Sequence, residues 1–188
     1  MRTRLGIPGG WDFKDDFSRP DNASSAGDMD TGVPWEALAG TWAIKDSGLR
    51  KAAADADGKL VADLGACDGI IQCKLLVATN GHGLAFRYAG TDTANGYLLL
   101  AEPPVGRWTV YREDSVGGNV SLGTTGPAPA NGDVISVVFQ HTAILCFVNG
   151  VKILELSDDY HMDHTKVGFR EHFAAAAAQF DEFRFRKL

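Results

Sequence analysis

Residues 144–156 read Ile144-Leu145-Cys146-Phe147-Val148-Asn149-Gly150-Val151-Lys152-Ile153-Leu154-Glu155-Leu156. Two β-prone runs flank Asn149-Gly150, and both turn residues tolerate the positive φ that a tight hairpin turn needs. The stretch predicts an antiparallel hairpin. Asn-Gly recurs at Asn80-Gly81, Asn95-Gly96 and Asn131-Gly132, so turn chemistry punctuates the chain repeatedly.

Outward from the hairpin, side chains alternate. In Leu84-Ala85-Phe86-Arg87-Tyr88 the large apolar residues share one face and Arg87 falls on the other. Ile71, Cys73, Leu75 and Val77 alternate with Gln72 and Lys74, and Phe183 and Phe185 alternate with Arg184 and Arg186. Period-two patterning marks strands with one buried face. Further strands are predicted near 40–45, 59–64, 97–102, 107–113, 133–140 and 166–173, which suits two stacked sheets. Ala174 to Ala178 favours helix by propensity. It is far shorter than the ~12 residues at which an isolated helix becomes marginal, so it is expected to be a packed connection. Arg19 to Pro34 reads as a long polar surface loop, and Gly117-Gly118-Asn119 as a turn.

A chain of 188 residues fits one β-sandwich domain, and 45% hydrophobic with 22% charged residues is globular composition. The net charge of −6, with both signs mixed along the chain, excludes the concentrated basic patch of a nucleic-acid surface. No apolar run approaches the ~20 residues of a membrane span. The first dozen residues, interrupted by Gly6, Pro8, Gly9 and Gly10, lack the apolar stretch of a signal peptide. The expectation is therefore synthesis in the cytosol without the usual export. Residues 1–11 are read as a flexible arm and 12–188 as the folded domain. Cys67, Cys73 and Cys146 are odd in number, and two lie in apolar runs, so free thiols are expected.

Asp15-Asp16-Phe17-Ser18-Arg19, Pro34-Trp35 followed by Gly40-Thr41-Trp42-Ala43-Ile44, and Phe180-Asp181-Glu182-Phe183 form a recurring pattern. Gly83 to Tyr88, Asn95-Gly96-Tyr97 and Phe147 to Gly150 continue it. Over residues 12–188 the chain resembles the concanavalin A-like (laminin G-like) domains of actinobacterial secreted proteins and of minor tail proteins of phages that infect those bacteria. The resemblance implies an all-β, two-sheet antiparallel jelly-roll sandwich. It also implies a virion protein, made in the host cytoplasm and released by lysis. Such a protein docks on other tail subunits, assembles as a homo-oligomer and attaches to cell-surface carbohydrate. A fold of this kind also hosts hydrolases, their binding modules and ligand-free decoration proteins. Those remain the competing readings.

The residues themselves give no reaction. Glucanase-type sandwiches set their carboxylates on one strand as Glu-x-Asp-x-x-Glu, and no such motif occurs. Glu113-Asp114, Asp158-Asp159 and Asp181-Glu182 are adjacent pairs whose members point to opposite faces. No Gly-x-Ser-x-Gly elbow is present. For sugar binding, Arg87, Tyr97, Trp108 and Arg112 on neighbouring strands are the candidates. An aromatic platform beside planar hydrogen-bonding groups suits a sugar ring. Arg87 either lines an exposed sheet or is buried in an ion pair, and each aromatic can equally be core. Asp16 and Asp181 lie on strands that run close together in related sandwiches. They either hold a structural calcium through hard oxygen ligands, or are used locally, Asp16 capping a turn and Asp181 pairing with an arginine. No other cofactor is expected. His161, Asp163, His164 and His172 cluster in sequence without a fixed metal-ligand spacing and read as solvated loop histidines.

Overall fold

The computed structural model describes residues 10–53, 57–90, 95–116, 118–172 and 179–188. The strands are β1 (Phe13–Asp15), β2 (Glu36–Ala39), β3 (Trp42–Ile44), β4 (Leu49–Lys51), β5 (Gly58–Asp63), β6 (Gly69–Leu75), β7 (His82–Tyr88) and β8 (Gly96–Glu102). They continue with β9 (Arg107–Asp114), β10 (Gly118–Thr125), β11 (Val134–Gln140), β12 (Ala143–Val148), β13 (Val151–Ser157), β14 (Lys166–Glu171) and β15 (Phe180–Lys187). A single 3-10 turn, Pro103–Val105, joins β8 to β9, and no α-helix occurs among the described residues.

The strands form two antiparallel sheets. One runs β13-β12-β11-β6-β15-β4-β3 with β1 beside β15, and the other runs β10-β9-β8-β7-β14-β5-β2. Between them lies one core that includes Trp42, Phe86, Tyr97, Trp108, Phe139, Phe169, Phe180, Phe183 and Phe185. This is the sandwich that the alternating pattern predicts. The alternation works because one face of each strand is removed from water by the other sheet.

The hairpin at 144–156 forms as read. Ile144 pairs with Leu156, and Asn149 and Gly150 take φ of +50° and +73°. Asn80-Gly81 and Asn131-Gly132 do something else: each lies between strands of different sheets, turning the chain across the core. Gly118 and Asn119, expected as a turn, already belong to β10. The segment 19–34 is irregular, as expected, but it is not only surface: Ala26 and Met29 are buried in the core. Cys67, Cys73 and Cys146 are free. The 174–178 connection and residues 1–9 of the arm lie outside the described residues. The chain joins the sheet at Asp12, whose N–H donates to the Phe185 carbonyl at 3.0 Å.

The motif around residue 15 turns out to be architectural. The fully buried Asp15 carboxylate accepts from Arg19 at 2.7 and 2.9 Å, from Trp35 Nε1 at 2.7 Å and from the Phe17 N–H at 2.8 Å. Four donors neutralise the desolvated charge and fix the first turn of chain after β1 against Trp35. Trp35 then packs edge-on against Phe183 at 5.0 Å, tying the N-terminal segment to the last strand.

Candidate functional site

The outer face of the seven-stranded sheet carries the best candidate. Leu60 and Ala62 of β5, Leu84 and Phe86 of β7, Leu99 of β8, Trp108 and Val110 of β9 and Phe169 of β14 enter the core. Alternation therefore sends Lys59, Val61, Gly83, Ala85, Leu98, Leu100, Thr109, Tyr111, Glu113, Gly168 and Arg170 to the opposite side. There Val61, Ala85, Tyr88, Leu98 and Leu100 make a second apolar cluster, separate from the core, with Leu38 and Tyr111 against it.

A contact across this face reveals its shape. Lys59 Nζ lies 2.9 Å from Glu113 Oε2. Their strands, β5 and β9, are separated by β14, β7 and β8. On a flat sheet they would lie roughly 19 Å apart, farther than two extended side chains span. The sheet must curve so that its outer face is a trough, with β5 and β9 as walls and Gly83, Ala85 and Gly168 on the floor. The Tyr88 hydroxyl donates to the same Glu113 oxygen, and the Lys59 ammonium sits 5.7 Å from the Tyr88 ring centroid. All three residues are at most 4% exposed. Burial and the neighbouring Glu113 carboxylate push the Tyr88 phenol well above its ordinary pKa, so it stays a donor.

To one side of this bridge is a cleft of about 240 Å³ lined by Asn80, Gly81, Leu100, Glu102, Tyr111, Asn119, Arg170 and His172. Its polar groups are held in place. Glu102 accepts from Tyr111 OH at 2.7 Å and from Thr109 Oγ1 at 3.0 Å, and it pairs with Arg107. Burial opposes its ionisation, but these donors outweigh it and lower the Glu102 pKa. Arg170 donates to the Gly81 carbonyl at 2.9 Å and to Asp57 at 2.5 Å, and His172 also contacts Asp57. At Asp57 too, the opposing effect of burial is overcome, here by Arg170 and His172, and its pKa falls. On the other side of the bridge, Asp63, Tyr88, Ala89, Gly90, Asp163, His164, Thr165 and Lys166 line a second cleft of about 330 Å³. Fixed donors and acceptors beside the half-buried Tyr111 ring are the ingredients of a site for a polyhydroxylated ligand.

None of the four sugar-binding candidates from the sequence stands on this trough. Tyr97 and Trp108 are fully buried between the sheets. Arg87 also turns inward. It donates to the Cys67 carbonyl and to Asp68, both at 2.8 Å, and lies 5.4 Å from the Phe139 ring centroid. Of the two alternatives for Arg87, the buried ion pair is the one found. Tyr97 and Arg112 do meet: paired across β8 and β9, they both bind Asp158, at 2.5 and 2.9 Å, and Arg112 lies over the Tyr160 ring. That cluster closes an end of the sandwich. The candidates share a face, but it is the inner one. Thr109, Tyr111 and Glu113, which alternate with Trp108, Val110 and Arg112, were the legible signal for the outer one.

Asp16 pairs with Arg184 at 2.6 Å, while Asp181 accepts the Glu182 N–H at 2.7 Å. Arginine thus pairs with Asp16, not Asp181. Burial raises the Asp181 pKa, and the negative charges of Glu182 and Asp16 add to the rise. Asp16 therefore already has a cationic partner in Arg184. Among the described residues, no group of three or more His, Cys, Asp or Glu could hold a metal ion. The histidines also separate. His161 is buried, stacks on His164 at 5.0 Å and meets the Glu113 carbonyl at 3.0 Å, whereas His172 lies in the first cleft. His161 is therefore a packing residue, not a solvated one.

The two glutamates of the trough, Glu102 and Glu113, are far apart. Glu113 pairs with Gly96 and Glu102 with Arg107, six positions along β8, which is about 20 Å of strand. Glycosidic acid and base groups work at about 5–9.5 Å.

No family model matches the chain, and no curated protein sequence matches it. Solved structures do match its fold. The carbohydrate-binding module CBM66 from Bacillus subtilis superposes with a TM-score of 0.64 at 15% identity, over 81% of this chain and 92% of that one. A Bacillus licheniformis β-glucanase gives 0.59 at 12%, over 97% and 100%. The exoplasmic/lumenal domain of VIP36, in its Ca2+/Man-bound form, gives 0.58 at 8%, over 84% and 85%. The fold is the concanavalin A-like jelly-roll sandwich of such lectins and glucanases, as the sequence resemblance implied.

Proposed function

We propose that the chain is a carbohydrate-binding sandwich that holds glycan in the trough of its seven-stranded sheet and does not cleave it. The observation that carries this reading is the cleft on the curved outer face, where the half-buried Tyr111 ring stands beside polar groups already fixed by one another. Such pre-organisation lowers the ordering cost of binding a flexible sugar. Binding is favoured over hydrolysis because Glu102 and Glu113 stand about 20 Å apart along the strands, and both are held by cations or hydroxyls. Titration of cell-wall glycan should show saturable binding, weakened about tenfold in Tyr111→Ala through loss of one ring contact. Absence of binding by the wild type sinks the reading. Release of reducing ends on incubation would favour the hydrolase instead.

The finer reading concerns the setting. The sequence resemblance to phage minor tail proteins supports a virion component that attaches to host surface carbohydrate. Assembly with tail subunits as a homo-oligomer would gain avidity from weak single sites. Mass spectrometry of purified particles should find the chain in stoichiometric amount, and its absence there would remove this setting while leaving the glycan site untouched.

A further inference from the structure

An asparagine that precedes glycine is open to attack by its own backbone, because the glycine puts no Cβ in the way. The chain carries Asn-Gly four times, and the fold treats the four differently. Asn149 is held at both ends of its amide: Oδ1 accepts the Val134 N–H at 2.9 Å, and Nδ2 donates to Asp133 at 2.8 Å. Asn131 Oδ1 accepts the Ala78 N–H at 2.8 Å, and Asn95 Oδ1 accepts the Ser115 N–H at 3.2 Å. Asn80 is exposed, and among the described residues nothing binds its side-chain amide. We propose that Asn80 is a site of spontaneous covalent modification, closing on Gly81 to a cyclic imide that opens to aspartate and isoaspartate, while the fold protects the other three pairs.

The step needs only water. The deprotonated Gly81 nitrogen bonds to Asn80 Cγ, the Cγ–Nδ2 bond breaks, and Nδ2 leaves with a proton as ammonia. Water then opens the ring at the side-chain carbonyl to give aspartate, or at the backbone carbonyl to give isoaspartate, whose chain runs through Cγ. Nothing is oxidised or reduced.

The surroundings bear on the closure. The His82 N–H donates to the Thr79 carbonyl at 3.2 Å, which makes Asn80 and Gly81 (φ +80°) the centre of a tight turn. A Cβ at Gly81 would lie 2.5 Å from Arg170 Nη1 and 3.0 Å from the His172 Cβ, so the fold keeps glycine there. Arg170 Nη1 donates to the Gly81 carbonyl at 2.9 Å, and its charge favours the deprotonated Gly81 nitrogen. The Gly81 N–H itself donates to the Ala101 carbonyl at 2.9 Å, so closure waits on release of that bond. Gly132 carries the same restraint, bound to the Leu75 carbonyl at 2.7 Å; what separates the two sites is the hold on the Asn131 amide. Asn80 lines the cleft that holds Glu102, Tyr111, Arg170 and His172, so the product sets a new carboxylate there. The modification does not depend on what that cleft binds.

The test is peptide mapping by mass spectrometry after warm incubation of the folded protein at pH 6 and pH 8, with a parallel sample in urea. Replacing –NH2 by –OH adds about 1 Da. In the folded protein Asn80 should convert at least about fivefold faster than Asn95, Asn131 or Asn149, the factor that one net hydrogen bond supplies. It should convert faster at pH 8 than at pH 6, and fragmentation should find isoaspartate in the product. In urea the four rates should converge. Conversion of another of the four first, or of none outside urea, overturns the proposal. Aspartate without isoaspartate, or equal rates at the two pH values, overturns the imide route. Asn80→Gln should abolish the product, and its persistence would assign it elsewhere; if that variant fails to fold, the wild-type map alone locates the change.

Discussion

Arg87 takes a left-handed φ of +50°, and this single backbone angle decides where its guanidinium goes. Leu84-Ala85-Phe86-Arg87-Tyr88 alternates in sequence, which would place Arg87 opposite Phe86. The kink turns Arg87 inward to Asp68 and delivers Tyr88 to the outer trough, where its hydroxyl meets Glu113. Non-glycine residues resist positive φ, so the ion pair and the bond to the Cys67 carbonyl must offset the strain. Arg87→Ala removes the arginine from Asp68, which keeps the His141 N–H, and should cost about 3 kcal/mol in urea denaturation. Glycan affinity of the molecules that remain folded should not change, because the side chain never reaches the trough. Nothing in the local sequence marks Arg87 for this angle. Tyr88 was legible as an apolar strand residue but not as a trough residue.

Strand β9 shows what patterning gives at the level of elements. Trp108 and Val110 against Thr109, Tyr111 and Glu113 is a readable two-sided strand, and the structure keeps both sides. The sequence does not say which side meets a ligand, because an aromatic residue serves a core and a sugar platform equally well. Strand β14 adds a backbone constraint. A Cβ at Gly168 would lie 2.0 Å from the Leu60 carbonyl oxygen of β5, so the two strands approach too closely for any side chain. Gly168→Ala should cost at least about 2 kcal/mol, a fall of roughly 4–8 °C in Tm by thermal melt. An unchanged melt would show that the sheet relaxes there without strain.

Across the whole molecule, a polar cluster is sealed between the sheets. Glu171 of β14 and His82 of β7 are fully buried, with Gln179 and the Lys51 N–H beside them. Burial raises the Glu171 carboxyl from 4.5 to about 8 and lowers the His82 imidazole from 6.5 to about 4. Both are therefore neutral at pH 7, and their 3.8 Å approach is not an ion pair. Glu171 contributes stability that is complete below pH 4.5 and is lost as pH rises through about 8. His82 contributes stability that is complete above pH 6.5 and is lost as pH falls through about 4. Glu171→Gln should flatten the alkaline limb, so that Tm falls less between pH 6 and pH 9 than in wild type. Parallel limbs in the two proteins would place the alkaline loss elsewhere. The sequence by itself determined the hairpin at 144–156, the one-sided strands and hence the antiparallel sandwich, because turn chemistry and burial period are local properties of the chain. Only the tertiary structure decided that the sheet curves into a trough and that Lys59, Tyr88 and Glu113 meet across it. It also decided that Arg87, Tyr97 and Trp108 are buried between the sheets and that Arg112 closes an end of the sandwich. Curvature and meetings between distant strands arise from long-range pairing, which a one-dimensional pattern does not encode.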